Sequence, residues 1–184
     1  METDNNIPPN LNDNEILAPF VKYLVPGCVD LAPGEKLFVY RTQNIIPVDD
    51  YGESPRPKRK YGNEALKRKL TQAEVDALPE NKRNKIIGDW GLSCNDSEDS
   101  AAQNFRFTYQ SLKQKGASEA DLQSFASERG IHICRFIITN ETGLITPFDE
   151  HGHANLYLYE GVTLEKIRDK DYNYKTIEYK SDED

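Results

Sequence analysis

The chain reads as an α+β protein, with a mostly antiparallel sheet and helices inserted between its N-terminal and C-terminal strands. Three observations carry that reading. Apolar residues recur at helical spacing through 97–130, the period changes to two from residue 131 onward, and a β-rich hexad, "KLFVYR" (36–41), precedes the helices.

Taken in order, residues 1–13 are polar, with Pro8-Pro9 and no periodicity, and read as a disordered tail. "NEILAPFVKYL" (14–24) suits a short helix that Pro26-Gly27 stops. "KLFVYR" predicts a buried strand ending at Arg41, and residues 42–62 follow as a long Pro-, Gly- and charge-rich loop. "NEALKRKL" (63–70) is helical by composition. "TQAEVDAL" (71–78) carries the Thr-x-x-Glu pattern of a capping box, closed by Pro79. "KIIGDWGLSC" (85–94), interrupted by Gly88 and Gly91, predicts a kinked strand.

Residues 97–116 open on acids, end on Lys113, Lys115 and Gly116, and place Ala101, Ala102, Phe105, Tyr109 and Leu112 on one helical face. Residues 118–130 repeat the grammar, with Ser118 as N-cap, Asp121 at the third position and Gly130 past the end. Strands are then expected at 131–139, 144–146 and 154–159, a helical turn at "TLEKIRD", and an edge strand at 171–179. Residues 14–180 form one expected domain, and 181–184 an acidic tail.

Composition narrows the function. No stretch approaches the 18 apolar residues that a membrane helix needs, and the N-terminus lacks the apolar core of a signal peptide, so a cytoplasmic protein is the default expectation. Cys28, Cys94 and Cys134 read as reduced thiols. The net charge is −8, yet ten Lys/Arg face four Asp/Glu between Arg56 and Lys85, a local +6 that leaves −14 elsewhere. Such acidity argues against nucleic acid as a partner. The basic stretch reads first as a solvated face that balances the acidic remainder, and second as a contact for an acidic partner or an import signal.

The segment "FDEHGHANLYLYEG" (148–161) attracts most attention. Alternation along a strand puts Ala154, Leu156 and Leu158 on a core-seeking face. His151, His153, Asn155, Tyr157 and Tyr159 share the other, a polar-aromatic row suited to a cleft. Three uses remain open: a metal site, a reactive face, or solvated loop histidines. A zinc ion could draw on His151 and His153 with His132 and Cys134. If 131–139 and 154–159 pair as a hairpin, however, His132 falls roughly 20 Å from His151, which makes zinc an unfavoured cofactor.

Three stretches, in chain order, resemble the elements of the ADP-ribosyltransferase fold, whose members bind NAD. "FVYR" resembles the first strand, with Arg41 at its end. "GLSCNDSEDSAAQNF" resembles the second strand and its helix, with Ser93 as the hydroxyl. "HANLYLYEG" resembles the third strand, but His153 and Asn155 stand where that family carries its catalytic Glu. The resemblance implies NAD as cofactor. Arg41 would hold the anionic part, Ser93 would orient a ribose, Tyr157 would stack on a ring, and His153 with Asn155 would line the reaction position, in a transferase or NAD glycohydrolase. The competing expectation is a non-catalytic inhibitor or accessory factor that holds a protein partner through charged surfaces.

Overall fold

The computed structural model describes Leu11, residues 17–43 and residues 69–179. Three short turns of helix come first: 3-10 turns at Ala18–Phe20 and Val25–Gly27 flank α1 (Val21–Leu24). The other elements follow in the order β1 (Leu37–Gln43), α2 (Gln72–Ala77), α3 (Glu80–Trp90), β2 (Leu92–Asn95), α4 (Glu98–Gln114), α5 (Glu119–Arg129), β3 (His132–Ile138), β4 (Gly143–Ile145), β5 (His153–Leu158), α6 (Leu164–Ile167) and β6 (Lys175–Thr176). The strands form one sheet in the order β4-β5-β2-β1-β3-β6. Every recorded pairing is antiparallel, so the fold is α+β with the helices inserted between N-terminal and C-terminal strands.

Local sequence sets the helix ends. Thr71 and Glu74 cap α2 reciprocally, and Ser118 and Asp121 do the same for α5. Ser97 accepts from the Ser100 N–H at the start of α4, and Glu98 and Asp99 oppose the positive end of its dipole. Gly130 ends α5 with φ +78, a backbone conformation that an L side chain would strain.

The sheet is covered differently on its two faces. On the first, Val39, Leu92, Cys94, Phe136, Ile138, Ala154 and Leu156 pack beneath the segment carrying Leu31 and beneath Leu164 and Ile167. On the second, two separate helical packs rest. Ala101, Phe105, Tyr109, Leu122 and Ala126 of α4 and α5 cover Ile133 of β3. Leu17, Phe20, Val75, Ile87 and Trp90 cover Tyr157 and Tyr159 at the other side of the sheet. The side chains of Ser93, His153 and Asn155 point to this second face.

Several expectations are corrected. Residues 85–94 are not a kinked strand: α3 continues to Trp90, Gly91 ends it, and β2 begins at Leu92. The buried positions Ile87 and Trp90 are three apart, which is helical spacing. The hairpin between 131–139 and 154–159 does not form either. β3 has both its edges occupied, by β1 and β6, and β5 pairs with β4 and β2. Leu11 is 2% exposed and forms an antiparallel bridge with Tyr159, so the N-terminal stretch is anchored at that residue. β1 extends to Gln43, past Arg41, and the edge strand within 171–179 contracts to Lys175–Thr176. The loop from 44 onward, residues 63–68 of the helix expected at 63–70, the rest of the 1–13 tail, the acidic end and most of the basic stretch lie outside the described residues, while Lys69 and Leu70 are not helical.

A candidate anion-binding site in the sheet

The turn before β5 sets the position of its first side chain. Asp149 Oδ1 accepts from the backbone N–H groups of His151 and His153, each at 2.9 Å. Gly152 takes φ +70, and a Cβ there would come within 2.4 Å of Asp96 Oδ1 and 2.7 Å of Ser100 Oγ. Only glycine lets the turn close on the start of α4, where Gly152 O accepts from the Asp96 N–H at 2.9 Å. The two histidines therefore diverge. His151 is exposed in the turn, beside Glu150. His153 enters the strand half-buried.

From there the His153 ring spans two groups. Its Nε2 lies 2.9 Å from Ser93 Oγ, on the adjacent strand β2. Its Nδ1 faces Asp149 Oδ2 at 3.9 Å. Burial lowers the pKa of His153; Asp149 raises it, and the guanidinium groups of Arg129 and Arg41 lower it further. The net shift is downward, so the imidazole is neutral at pH 7.

Arg41 arrives from the other neighbour of β2. β1 and β2 register at a single pair, Tyr40 with Asn95. Side chains substitute for the rest of the ladder. Asn95 Nδ2 donates to Tyr40 O at 3.3 Å, and Arg41 Nη1 donates to Ser93 O at 2.5 Å. By parity Arg41 shares the face of Val39, so it meets the Ser93 backbone and not the Ser93 hydroxyl. Its Nε is buried without a partner. Burial, and secondarily the charge of Arg129, hold its pKa down to about 10, which still leaves it protonated at neutral pH.

Arg129, in the last turn of α5, is the residue that sequence reasoning missed. Burial lowers its pKa too, and its charge acts on both Arg41 and His153. Among the described residues no carboxylate forms an ion pair with either arginine. Two partly buried guanidinium groups that repel one another without a counter-charge are unfavourable by themselves, and an anion between them would relieve both.

Asn155 stands beside the end of α3. A Cβ at Gly91 would lie 2.5 Å from Asn155 Cβ, so Gly91 is what admits this side chain. Its backbone N–H donates to Thr146 Oγ1 at 2.9 Å. The stacking role expected of Tyr157 is corrected. The ring is 3% exposed among Ile87 and Trp90, and its hydroxyl donates to Ile87 O at 2.9 Å. It is a core residue, because α3 covers this end of the polar-aromatic row. The Ser93 and His153 side chains are thus brought together and Asn155 lies two positions along the strand, whereas Arg41, on the opposite face, reaches only the Ser93 backbone, and Tyr157 is withdrawn.

The four residues considered for zinc are dispersed. β2 and β1 separate His132 and Cys134 on β3 from His153, three strand spacings or about 14 Å. His132 Nδ1 is 3.1 Å from Thr176 Oγ1 at the sheet edge, and Cys134 is buried in the first-face core. Among the described residues no three His, Cys, Asp or Glu side chains are grouped as a metal site. None of the described helices is long and apolar enough to cross a membrane. In comparisons with known proteins, the chain matches no family model, no curated protein and no solved structure.

Proposed function

We propose that the protein handles a nucleotide of the NAD type, with the anionic phosphates held by Arg41 and Arg129. The observation that carries this reading is the pair of neighbouring guanidinium groups without a carboxylate, one of them with its Nε buried and unpartnered. A pyrophosphate supplies both the charge and the acceptors that these donors lack. Ser93 and Asn155, paired across β2 and β5, offer a hydroxyl and an amide that would hydrogen-bond ribose if the nucleotide reaches past the gap between β1 and β2 to the second face. His153 occupies the reaction position as a neutral base. The reading follows the ADP-ribosyltransferase resemblance, which rests on the order Arg41, Ser93, His153 along the chain. The absence of a Glu at His153 and Asn155 indicates a weak catalyst or a binding protein.

Nicotinamide release from NAD tests the reading. Wild-type turnover is expected to be slow, to fall in His153→Ala, and to rise in Asn155→Glu, which restores a fixed negative charge where an oxocarbenium-like centre would develop. Failure of NAD and ADP-ribose to bind, combined with salt-sensitive retention of a protein partner, would contradict it and support the interaction-protein alternative.

A further inference from the structure

Asp149, His153 and Ser93 stand in line across β5 and β2. The carboxylate is held by two backbone N–H groups, and its second oxygen faces Nδ1 of the ring. The other ring nitrogen is at hydrogen-bond distance from a half-buried hydroxyl. A carboxylate on the Nδ1 side favours the tautomer protonated there and leaves the Nε2 lone pair directed at Ser93 Oγ.

We propose that Ser93 is a nucleophile toward an electrophilic phosphoryl centre, with His153 as its general base and Asp149 as the positioning residue behind the ring. In the step, Oγ forms a bond to phosphorus while its proton passes to Nε2. The bond from phosphorus to the leaving group breaks, the leaving group departs with the electron pair, and the Nε2 proton is available to it. The positive charges of Arg129 and Arg41, which act on His153, favour the negative charge that grows on the phosphoryl oxygens. This assigns chemistry to a hydroxyl that the nucleotide reading uses only for orientation, and it stands or falls separately from that reading.

The test is labelling of the full chain by diisopropyl fluorophosphate, which carries an electrophilic phosphorus and loses fluoride. The expected result is one diisopropylphosphoryl group, mapped to Ser93 by peptide mass spectrometry, with a rate that rises as pH increases through the His153 pKa. His153→Gln should slow labelling by about 10²-fold or more, the usual contribution of a general base. Asp149, Arg41 and Arg129 are the charged groups that act on His153, and Asp149 alone raises its pKa. Asp149→Asn should therefore shift the midpoint of the pH profile downward as well as slow the reaction, a signature that loss of packing would not produce. Thermal melts of each variant establish that it is folded. Absence of label on folded wild type, label at another residue, or unchanged labelling of folded His153→Gln would overturn the proposal. Labelling at Ser93 without any stabilisation by NAD would support it and remove the nucleotide reading alone.

Discussion

Arg41 Nη1 donates to the carbonyl of Ser93 at 2.5 Å, at the point where β1 and β2 stop pairing. A guanidinium therefore does in the middle of the sheet what a backbone ladder does elsewhere. Hydrogen bonds to charged groups contribute about 1.5–3 kcal/mol, enough to hold two strands that share one registered pair. The same placement leaves Nε buried without a hydrogen-bond partner, so the group that ties the strands is also the one to which the proposed anion would bind.

Tyr157→Phe separates the core role of that ring from any contact with ligand. Ile87 O is among the last carbonyls of α3, which have no partner within the helix, and the Gly91 N–H goes to Gly88 O instead. Removing the hydroxyl leaves Ile87 O unsatisfied and should cost about 1–3 kcal/mol in urea unfolding. Nucleotide affinity should be unchanged. A loss of affinity without a loss of stability would return Tyr157 to the site.

Gly91→Ala tests how Asn155 is admitted. Gly91 has φ −78, which alanine adopts without strain, so the effect is steric. The added methyl meets Asn155 Cβ at 2.5 Å and should cost about 1–3 kcal/mol of stability while displacing the amide. Unfolding measurements paired with ligand titration should show both effects; a neutral substitution would mean that the end of α3 is looser than the structure has it.

The pH dependence of stability carries a signature of His153. Its folded pKa lies below the unfolded value, so the unfolded chain binds more protons as pH falls through the unfolded pKa near 6.5. The contribution from keeping this ring neutral is complete above that pH and is lost as pH falls through the folded pKa. His153→Gln should flatten that part of the stability profile, as followed by urea midpoints between pH 7 and 5. An identical slope in the variant would show that the ring titrates as it does in solvent.

The three cysteines should be inert in the native protein. Burial pushes Cys94 up to about 12 and Cys28 up to about 11, and raises Cys134 as well. Thiolate is the reactive form, so iodoacetamide at pH 8 should leave all three unmodified until denaturant is added, as read by intact mass. Rapid native alkylation of Cys94 would contradict its position in the core.

Some of this was legible in the sequence and some was not, for identifiable reasons. The capping residues Thr71 and Ser118, the acidic opening of 97–116 and the apolar face of Ala101, Phe105 and Tyr109 are local signals, and α2, α4 and α5 follow from them. α3 was hidden because its first six residues, "ENKRNK", offer no apolar residue from which to read a period. Two glycines then suggested an interrupted strand. Parity placed His153, Asn155 and Tyr157 on one face, but parity does not say where along the strand a helix lies over it. Covered by α3, Tyr157 became core while His153 stayed accessible. Arg129 gave no signal at all, since a basic residue in a last helical turn is ordinary. Asp149 could have been found from its spacing to His153 around Gly152, a turn that brings a carboxylate back to the start of the strand.

An anion site built by Arg41 and Arg129 would show itself in the unfolding temperature in NAD, ADP-ribose and inorganic pyrophosphate, compared between wild type and Arg129→Gln. Wild type should gain stability with the logarithm of ligand concentration, about 2.7 kcal/mol at 100 times Kd, and Arg129→Gln should lose most of that gain. No stabilisation of the wild type by millimolar concentrations of any of the three, or equal stabilisation of both proteins, would contradict it.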